Sequence, residues 1–136
     1  MTNIDLSESD AVSAIDALLA SHPSLGWWGI DVPEGVKRHD LAQSRVSLRA
    51  CWREFVIACK YADLLSPRNS INRSHNSYGL KHRAEQLCGD GNLGGYVGNG
   101  AMIAAMLYKG FKYESLKNEF GYAYFNISSR NVPSAF

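Results

Sequence analysis

The chain has 136 residues, 46% of them apolar, and a formal net charge of +1. This length predicts a single domain over residues 1–136 with a core of its own. The longest apolar run, residues 101–108, is far shorter than the roughly 20 residues that cross a bilayer. The acidic N-terminus also lacks the layout of a signal peptide. We therefore expect a cytoplasmic protein that has no membrane partner.

Charge is divided unevenly along the chain. Residues 1–40 hold seven acids and two bases, whereas residues 41–136 hold twelve bases and six acids. The stretch 64–84 contains no acid, two histidines and four of these bases: Arg68, Arg73, Lys81 and Arg83. Uncompensated positive charge favours an anionic partner. The alternative is a solvated surface that folds against the acidic N-terminal segment.

Residues 7–23 predict the first helix, because a capping box beginning at Ser7 precedes a stripe of apolar residues. The segment that follows, residues 24–40, is rich in Gly and Pro and is therefore a predicted loop. It carries two adjacent tryptophans, Trp27 and Trp28. Such a pair either fills the edge of the core or forms a binding platform.

Residues 40–65 are the longest predicted helix. Leu41, Leu48 and Trp52 recur at helical spacing, and Pro67 ends the pattern. The polar and basic stretch that follows, residues 66–77, is expected to be a connector.

A shorter helix is predicted over residues 77–88, with Ser77 as its N-cap. Its apolar residues Leu80, Ala84 and Leu87 are expected to face the core. Its polar residues are expected to face solvent: Lys81, His82, Glu85 and Gln86.

Residues 100–109 predict a third helix, which Asn99 caps and which is apolar nearly all round, as buried helices are. Two strands joined by a turn are expected over residues 111–128, because apolar and polar residues alternate near its end. Residues 129–136 are expected to form a loose tail. The predicted fold class is α+β and mostly helical, a compact helical domain with a C-terminal two-stranded hairpin.

The element order over residues 40–128 is that of a winged helix-turn-helix module, to which residues 1–39 add a helix and a loop. In such modules the third helix enters the major groove, but here that helix offers almost no polar side chain except Lys109. Contacts to phosphates or to a partner are therefore expected from other bases and aromatic residues. The candidates are Arg68, Arg73, Tyr78, Lys81, His82, Arg83, Lys109 and Lys112.

A glycine-rich segment separates the second and third of these helices. Gly89, Gly91 and Gly94 match the G-x-G-x-x-G pattern of dinucleotide-binding turns. The triplet follows a predicted helix instead of a strand, and the next helix begins too late to receive a pyrophosphate. A flexible joint is expected here, not a phosphate cradle.

The sequence contains no recognisable catalytic motif. Its four histidines lack metal-binding spacing, and no G-x-S-x-G motif is present. The cysteines Cys51, Cys59 and Cys88 include no C-x-x-C pair, which favours reduced thiols. We predict a protein that is not an enzyme and that binds no metal and no cofactor. A small enzyme that uses the glycine-rich segment is the weaker alternative.

Three segments within residues 74–128 carry a resemblance: SHNSYGLKHRAEQ, YVGNGAMIAAMLYKGFKY and YAYFNIS. Together they resemble a group of small uncharacterised proteins of phages, prophages and plasmids. The resemblance implies a mobile-element context, in which small accessory proteins often inhibit host defence, anti-CRISPR proteins included, or regulate their own operons.

We therefore expect a mobile-element accessory protein that binds and blocks the host's nucleic-acid defence machinery, as an anti-CRISPR-type inhibitor does. Its expected partner is a host protein or ribonucleoprotein complex, or nucleic acid. The alternative function is a DNA-binding transcriptional regulator of a mobile-element operon.

Overall fold

The computed structural model describes residues 6–36, 39–89, 95–129 and 132. Five helices and three strands follow one another in the order α1 (Glu8–Ser21), α2 (Leu41–Ala50), α3 (Trp52–Ala62), β1 (Pro67–Asn76), α4 (Ser77–Cys88), α5 (Asn99–Tyr108), β2 (Tyr113–Ser115) and β3 (Ala123–Ile127). The predicted fold class, α+β and mostly helical, is confirmed.

The first helix begins where its sequence predicts. The Ser7 hydroxyl accepts a hydrogen bond from the Asp10 N–H at 3.1 Å, which satisfies one of the unpaired donors of the first turn. Ala11 and Ile15 are buried against the rest of the molecule.

The single helix predicted over residues 40–65 is wrong: Cys51 interrupts it and separates α2 from α3. Both halves contact α1, but the rest of their packing differs. Arg45 of α2 donates hydrogen bonds to four backbone carbonyls at the end of α1 and just after it: Leu19, His22, Pro23 and Leu25. Helix α3 contacts α1 as well, but it lies mainly against α4 and α5. Leu41 is exposed and Trp52 is only partly buried, although both were expected on the apolar stripe of one helix.

The polar connector predicted at residues 66–77 is also wrong, because most of it is strand β1. The predicted two-stranded hairpin is therefore part of a three-stranded antiparallel sheet with the order β1-β3-β2. Strand β1 lies at the edge of this sheet and most of its side chains face solvent, so it lacks the apolar alternation that indicates a strand. Its one buried polar residue, Asn72, donates to the Ile127 carbonyl at 2.9 Å.

Helix α4 starts one residue from its predicted cap. Asn76, not Ser77, caps it by accepting a hydrogen bond from the Gly79 N–H at 3.0 Å. The Ser77 hydroxyl is buried and accepts from the Ala123 N–H, which fixes the start of α4 to β3. The N-cap of α5 is likewise Gly98 instead of Asn99.

The hydrophobic core extends from Ala11 in α1 to Ile127 in β3. Helix α5 lies within it: every residue from Asn99 to Met106 is buried, as its apolar sequence predicts. Ala123, Phe125 and Ile127 of β3 are buried, as its alternation predicts, but Asn126, which that alternation places on the outer face, is buried as well. Within the described residues, no helix has the length and apolar character needed to span a bilayer.

Candidate binding cleft

The predicted contact residues do not form one exposed basic surface. The two arginines of β1 are occupied at the protein surface: Arg68 donates to the carbonyls of its own strand, and Arg73 makes a two-point ion pair with Glu114 at 2.7 and 2.8 Å. Lys109 pairs with Asp63 at 2.8 Å. Within residues 64–84, Arg73 and Lys81 are therefore paired with acids, contrary to the expectation, whereas the carbonyls that Arg68 contacts carry no charge. The compensating acids lie outside residues 1–40, so the acidic N-terminal segment is not what neutralises them.

Among the predicted contact residues, Lys81 differs most from the predicted solvent exposure. Instead of facing solvent it is 3% exposed, and its ammonium donates to the Glu85 carboxylate at 3.0 Å. Of the other predicted contacts, Arg83 lies 3.4 Å from the His75 ring nitrogen, while His82 and Lys112 are exposed.

Lys81 and Tyr78 instead belong to an open cleft of about 210 Å³ that four separate segments build. These segments are the loop after α1, helix α4, the residues just before and at the start of α5, and the turn between β2 and β3. The cleft is lined by Trp27, Trp28, Tyr78, Lys81, Tyr96, Asn99, Phe120 and Tyr122. Two of its aromatic side chains are about half exposed, Tyr96 at 49% and Phe120 at 50%.

One wall of the cleft is a ladder of three nearly parallel rings. The ring centroids of Tyr78 and Tyr122 lie 5.2 Å apart, and those of Tyr122 and Phe120 lie 5.3 Å apart, with interplanar angles of 28° and 25°. His82 meets the edge of Tyr78 at 4.5 Å. Partial burial, and secondly the neighbouring Tyr78, raise the pKa of the Tyr122 hydroxyl, so it stays protonated at neutral pH.

The indole N–H groups of Trp27 and Trp28 donate hydrogen bonds that fix the loop between α1 and α2, called here the tryptophan loop. The Trp27 indole N–H donates to the Glu54 carboxylate at 2.8 Å, and the Trp28 indole N–H donates to the Glu119 carbonyl at 2.9 Å. The Gly100 N–H donates to the Trp27 carbonyl at 2.9 Å. The two backbones approach so closely at this point that a Cβ on Gly100 would overlap the backbone of the tryptophan loop.

Two carboxylates hold the segment that carries Tyr96. The same Glu54 oxygen that binds Trp27 accepts from the Gly98 N–H at 2.8 Å, and Glu85 accepts from the Val97 N–H at 2.9 Å. Glu85 also holds Lys81, whose ammonium lies 4.4 Å from the centre of the Tyr96 ring. The aromatic walls are therefore positioned by partly buried polar contacts.

Asn99 lines the cleft, and only the NH₂ group of its amide makes hydrogen bonds within the described residues. Its NH₂ group faces the carbonyls of Trp28 and Gly121 at 3.0 Å and that of Phe120 at 3.3 Å, which fixes the orientation of the amide. The side chain is 92% buried, since its exposed fraction is 8%. Its Oδ1 has no hydrogen-bond partner among the described residues. A buried acceptor without a donor is costly unless something else supplies the hydrogen.

Sequence reasoning found part of this site. It considered Trp27 and Trp28 as a platform and named Tyr78 and Lys81, but it missed three lining residues that share no local motif: Tyr96, Asn99 and Phe120. The glycine joint falls mostly on residues 90–94, which lie outside the described residues. In the described part of the chain, no cluster of three or more His, Cys, Asp or Glu could hold a metal ion.

Comparison of the chain with protein-family models, with curated proteins and with solved structures found no match.

Proposed function

We propose that this protein is a non-enzymatic binding protein of a mobile genetic element, and that it blocks a component of the host's nucleic-acid defence machinery in the cytoplasm. In this proposal it acts as anti-CRISPR-type inhibitors do, by occupying its target. The aromatic cleft is the proposed contact surface, and its half-exposed rings are the observation that carries the proposal.

Exposed aromatic side chains around a concave site are typical of binding surfaces. Tyrosine, tryptophan and phenylalanine are enriched in interfaces, where they supply large contact areas. The cleft is also preorganised, because Glu54 and Glu85 hold its walls before any partner arrives. Preorganised side chains lose little conformational entropy on binding, which favours affinity.

The alternative function, a DNA-binding regulator of a mobile-element operon, receives less support. The helix that would enter the major groove, α5, is buried along most of its length. Three of the bases that would contact phosphates are engaged by acids: Arg73, Lys81 and Lys109. An ion-paired base releases fewer counterions on binding DNA and so contributes less to affinity.

A plasmid-interference assay tests the proposal. In cells that carry a CRISPR system, expression of the protein is expected to restore transformation by a targeted plasmid. The double variant Tyr96→Leu/Phe120→Leu is expected to lose this effect, because it removes two half-exposed rings of the cleft. Tyr108→Leu, which changes an exposed tyrosine outside the cleft, is the matched control and is expected to act like wild type.

Two results would contradict the proposal. Failure of the wild-type protein to protect the plasmid against any CRISPR type tested would refute anti-CRISPR action. Tight binding to a short DNA duplex, with affinity that falls steeply between low and physiological salt, would support the regulator instead.

A further inference from the structure

The hydrogen-bonding groups that the cleft leaves free indicate what it receives. We infer that the cleft binds a proline-rich segment of a partner protein, in the polyproline II conformation, whose backbone carbonyls accept hydrogen bonds from the tyrosine hydroxyls of the cleft. This inference rests on the proposed use of the cleft as a binding site and names the chemical class of its partner.

The lining of the cleft is electrically neutral. Of the described residues that line it, only Lys81 carries a charge, and Glu85 pairs with Lys81 at 3.0 Å. A charged group of a partner would lose its hydration here without meeting a free opposite charge, which is costly. An uncharged occupant therefore complements the cleft.

The acceptors around the cleft are already engaged. Four backbone carbonyls receive hydrogen bonds from the Asn99 amide or from an indole, namely those of Trp28, Glu119, Phe120 and Gly121. The carboxylates of Glu54 and Glu85 hold the segment that carries Tyr96. Asn99 Oδ1 is buried too deeply for an occupant to reach. A segment that brought backbone N–H groups would leave them unsatisfied wherever it excluded water.

The groups that remain free are hydroxyl donors. Tyr78, Tyr96 and Tyr122 line the cleft, and in the part of the chain that the structure describes no hydrogen bond involves their hydroxyl groups. Tyr78 and Tyr96 are exposed. The raised pKa of Tyr122 keeps its hydroxyl protonated and so able to donate. The matching occupant therefore presents acceptors and few donors.

Proline meets these requirements better than other residues do. It has no backbone N–H, keeps its carbonyl as an acceptor and presents an uncharged apolar ring. The polyproline II conformation makes no internal hydrogen bonds, so its carbonyls are free, and grooves lined by aromatic side chains bind such segments in other proteins. A helix would not serve, because its backbone carbonyls already accept hydrogen bonds within the helix.

The size and walls of the cleft suit a short anchor of a longer chain. Its volume of about 210 Å³ is below the roughly 300–1,000 Å³ of sites that enclose a small molecule. The rings of the ladder cover one another's faces and so present their edges. The second wall is the pair of Trp27 and Tyr96, whose ring centroids lie 6.2 Å apart at an interplanar angle of 34°. A prolyl ring needs only apolar contact with such edges and with the half-exposed ring of Phe120, not an open ring face to stack on.

An uncharged peptide tests the inference directly. We would titrate the full-length protein with decaproline, capped at both ends so that it carries no charge, and follow tryptophan fluorescence, since Trp27 and Trp28 line the cleft. The control is a capped Gly-Ser peptide of the same length, which is also uncharged but brings N–H donors and no apolar ring. Decaproline is expected to bind at least about 10-fold more tightly, because it is preorganised and brings no unsatisfied donor.

Matched variants separate the hydroxyls from the rings. Tyr78→Phe/Tyr96→Phe keeps both rings and removes two donors, so it is expected to weaken decaproline binding by at least about 5-fold. Tyr96→Leu/Phe120→Leu removes two rings and is expected to weaken it by about 10-fold or more. Tyr108→Phe, which removes the hydroxyl of an exposed tyrosine outside the cleft, is expected to leave binding unchanged.

Two outcomes would overturn the inference. Equal binding of decaproline and the Gly-Ser peptide would show that the cleft does not select proline. Unchanged binding of decaproline by Tyr78→Phe/Tyr96→Phe would show that the hydroxyls do not hold the occupant, and would indicate an apolar side chain of a partner instead.

The inference and the proposed function fail separately. If the wild-type protein protects the plasmid and Tyr96→Leu/Phe120→Leu does not, but decaproline binds no better than the Gly-Ser peptide, the inference fails while the proposed function stands. If decaproline binds as expected and the plasmid-interference assay shows no protection, the proposed function fails and the proline site stands.

Discussion

Two ion pairs on neighbouring elements show how differently the same chemistry is used in two regions of the molecule. On the sheet, Arg73 and Glu114 meet at the surface with side-chain exposures of 64% and 42%. In the cleft, Lys81 and Glu85 are exposed by only 4% and 18%, and Glu85 also holds the backbone before α5. The exposed pair gains little because water screens it, whereas the inner pair helps to position an aromatic wall. Charge counts along a sequence treat the two pairs alike.

The largest expected loss of stability follows removal of the Lys81 ammonium. Lys81→Ala leaves Glu85 partly buried, with the Val97 N–H and the His82 ring as its remaining partners. We expect a loss of about 3 kcal/mol in the free energy of unfolding, at the low end for a broken buried pair. Urea denaturation followed by circular dichroism would measure it. A loss below about 1 kcal/mol would mean that water reaches this pair freely and that the contrast between the two regions is false.

A smaller loss of stability is expected when the hydrogen bond from the Trp27 indole to Glu54 is removed. Trp27→Phe keeps an aromatic ring but removes the N–H that donates to Glu54, so we expect a loss of about 1–2 kcal/mol in unfolding free energy. The control is Trp28→Phe, which loses a hydrogen bond to the exposed Glu119 carbonyl. Water can replace that bond, so the control is expected to lose less. Equal losses of unfolding free energy in the two variants, measured by urea denaturation, would show that the hydrogen bond to Glu54 contributes no more than the one to the Glu119 carbonyl.

On the sheet side, a weak pH dependence is expected from His75. Burial, and secondly the charge of Arg83, lower the pKa of this histidine in the folded protein below its usual value of 6.5. The unfolded chain therefore takes up the proton first as the pH falls. The stabilisation is complete above pH 6.5 and declines as the pH falls from 6.5 toward the folded pKa. Comparing wild type with His75→Gln by urea denaturation at several pH values between 7.5 and 5 would isolate this small slope, and identical slopes would contradict it.

The smallest effect is expected at the exposed pair itself. Arg73→Ala removes both hydrogen bonds to Glu114, yet we expect no measurable shift in Tm, because exposed ion pairs contribute little to folding. Differential scanning fluorimetry of this variant beside Lys81→Ala provides the direct comparison. A shift as large as that of Lys81→Ala would show that the sheet depends on this pair.

The fold could be predicted where local chemistry decides it. The cap at Ser7 and the apolar alternation of β3 follow from spacing alone. Strand β1 could not be recognised, because an exposed edge strand needs no apolar face. The break at Cys51 could not be recognised either, because neither Gly nor Pro marks it. Beyond this break, α3 packs mainly on α4 and α5, which lie far along the sequence.

The site was less predictable because it exists only in the tertiary structure. The spacing of Lys81 and Glu85 suggests a pair on a helix, but the burial of that pair depends on Tyr96, which comes from another segment. Phe120 and Asn99 join the cleft from opposite ends of the C-terminal region. No periodicity within a single element brings such residues together.

The adjacent residues Asn99 and Gly100 have a consequence for how this protein can evolve. The Asn99 NH₂ group donates to backbone carbonyls of the tryptophan loop and of the turn before β3. Gly100, which has no Cβ, allows the tryptophan loop to contact α5. Replacing either residue alone would displace Trp27 or Trp28, so the dipeptide and the tryptophan pair are expected to be inherited or lost together.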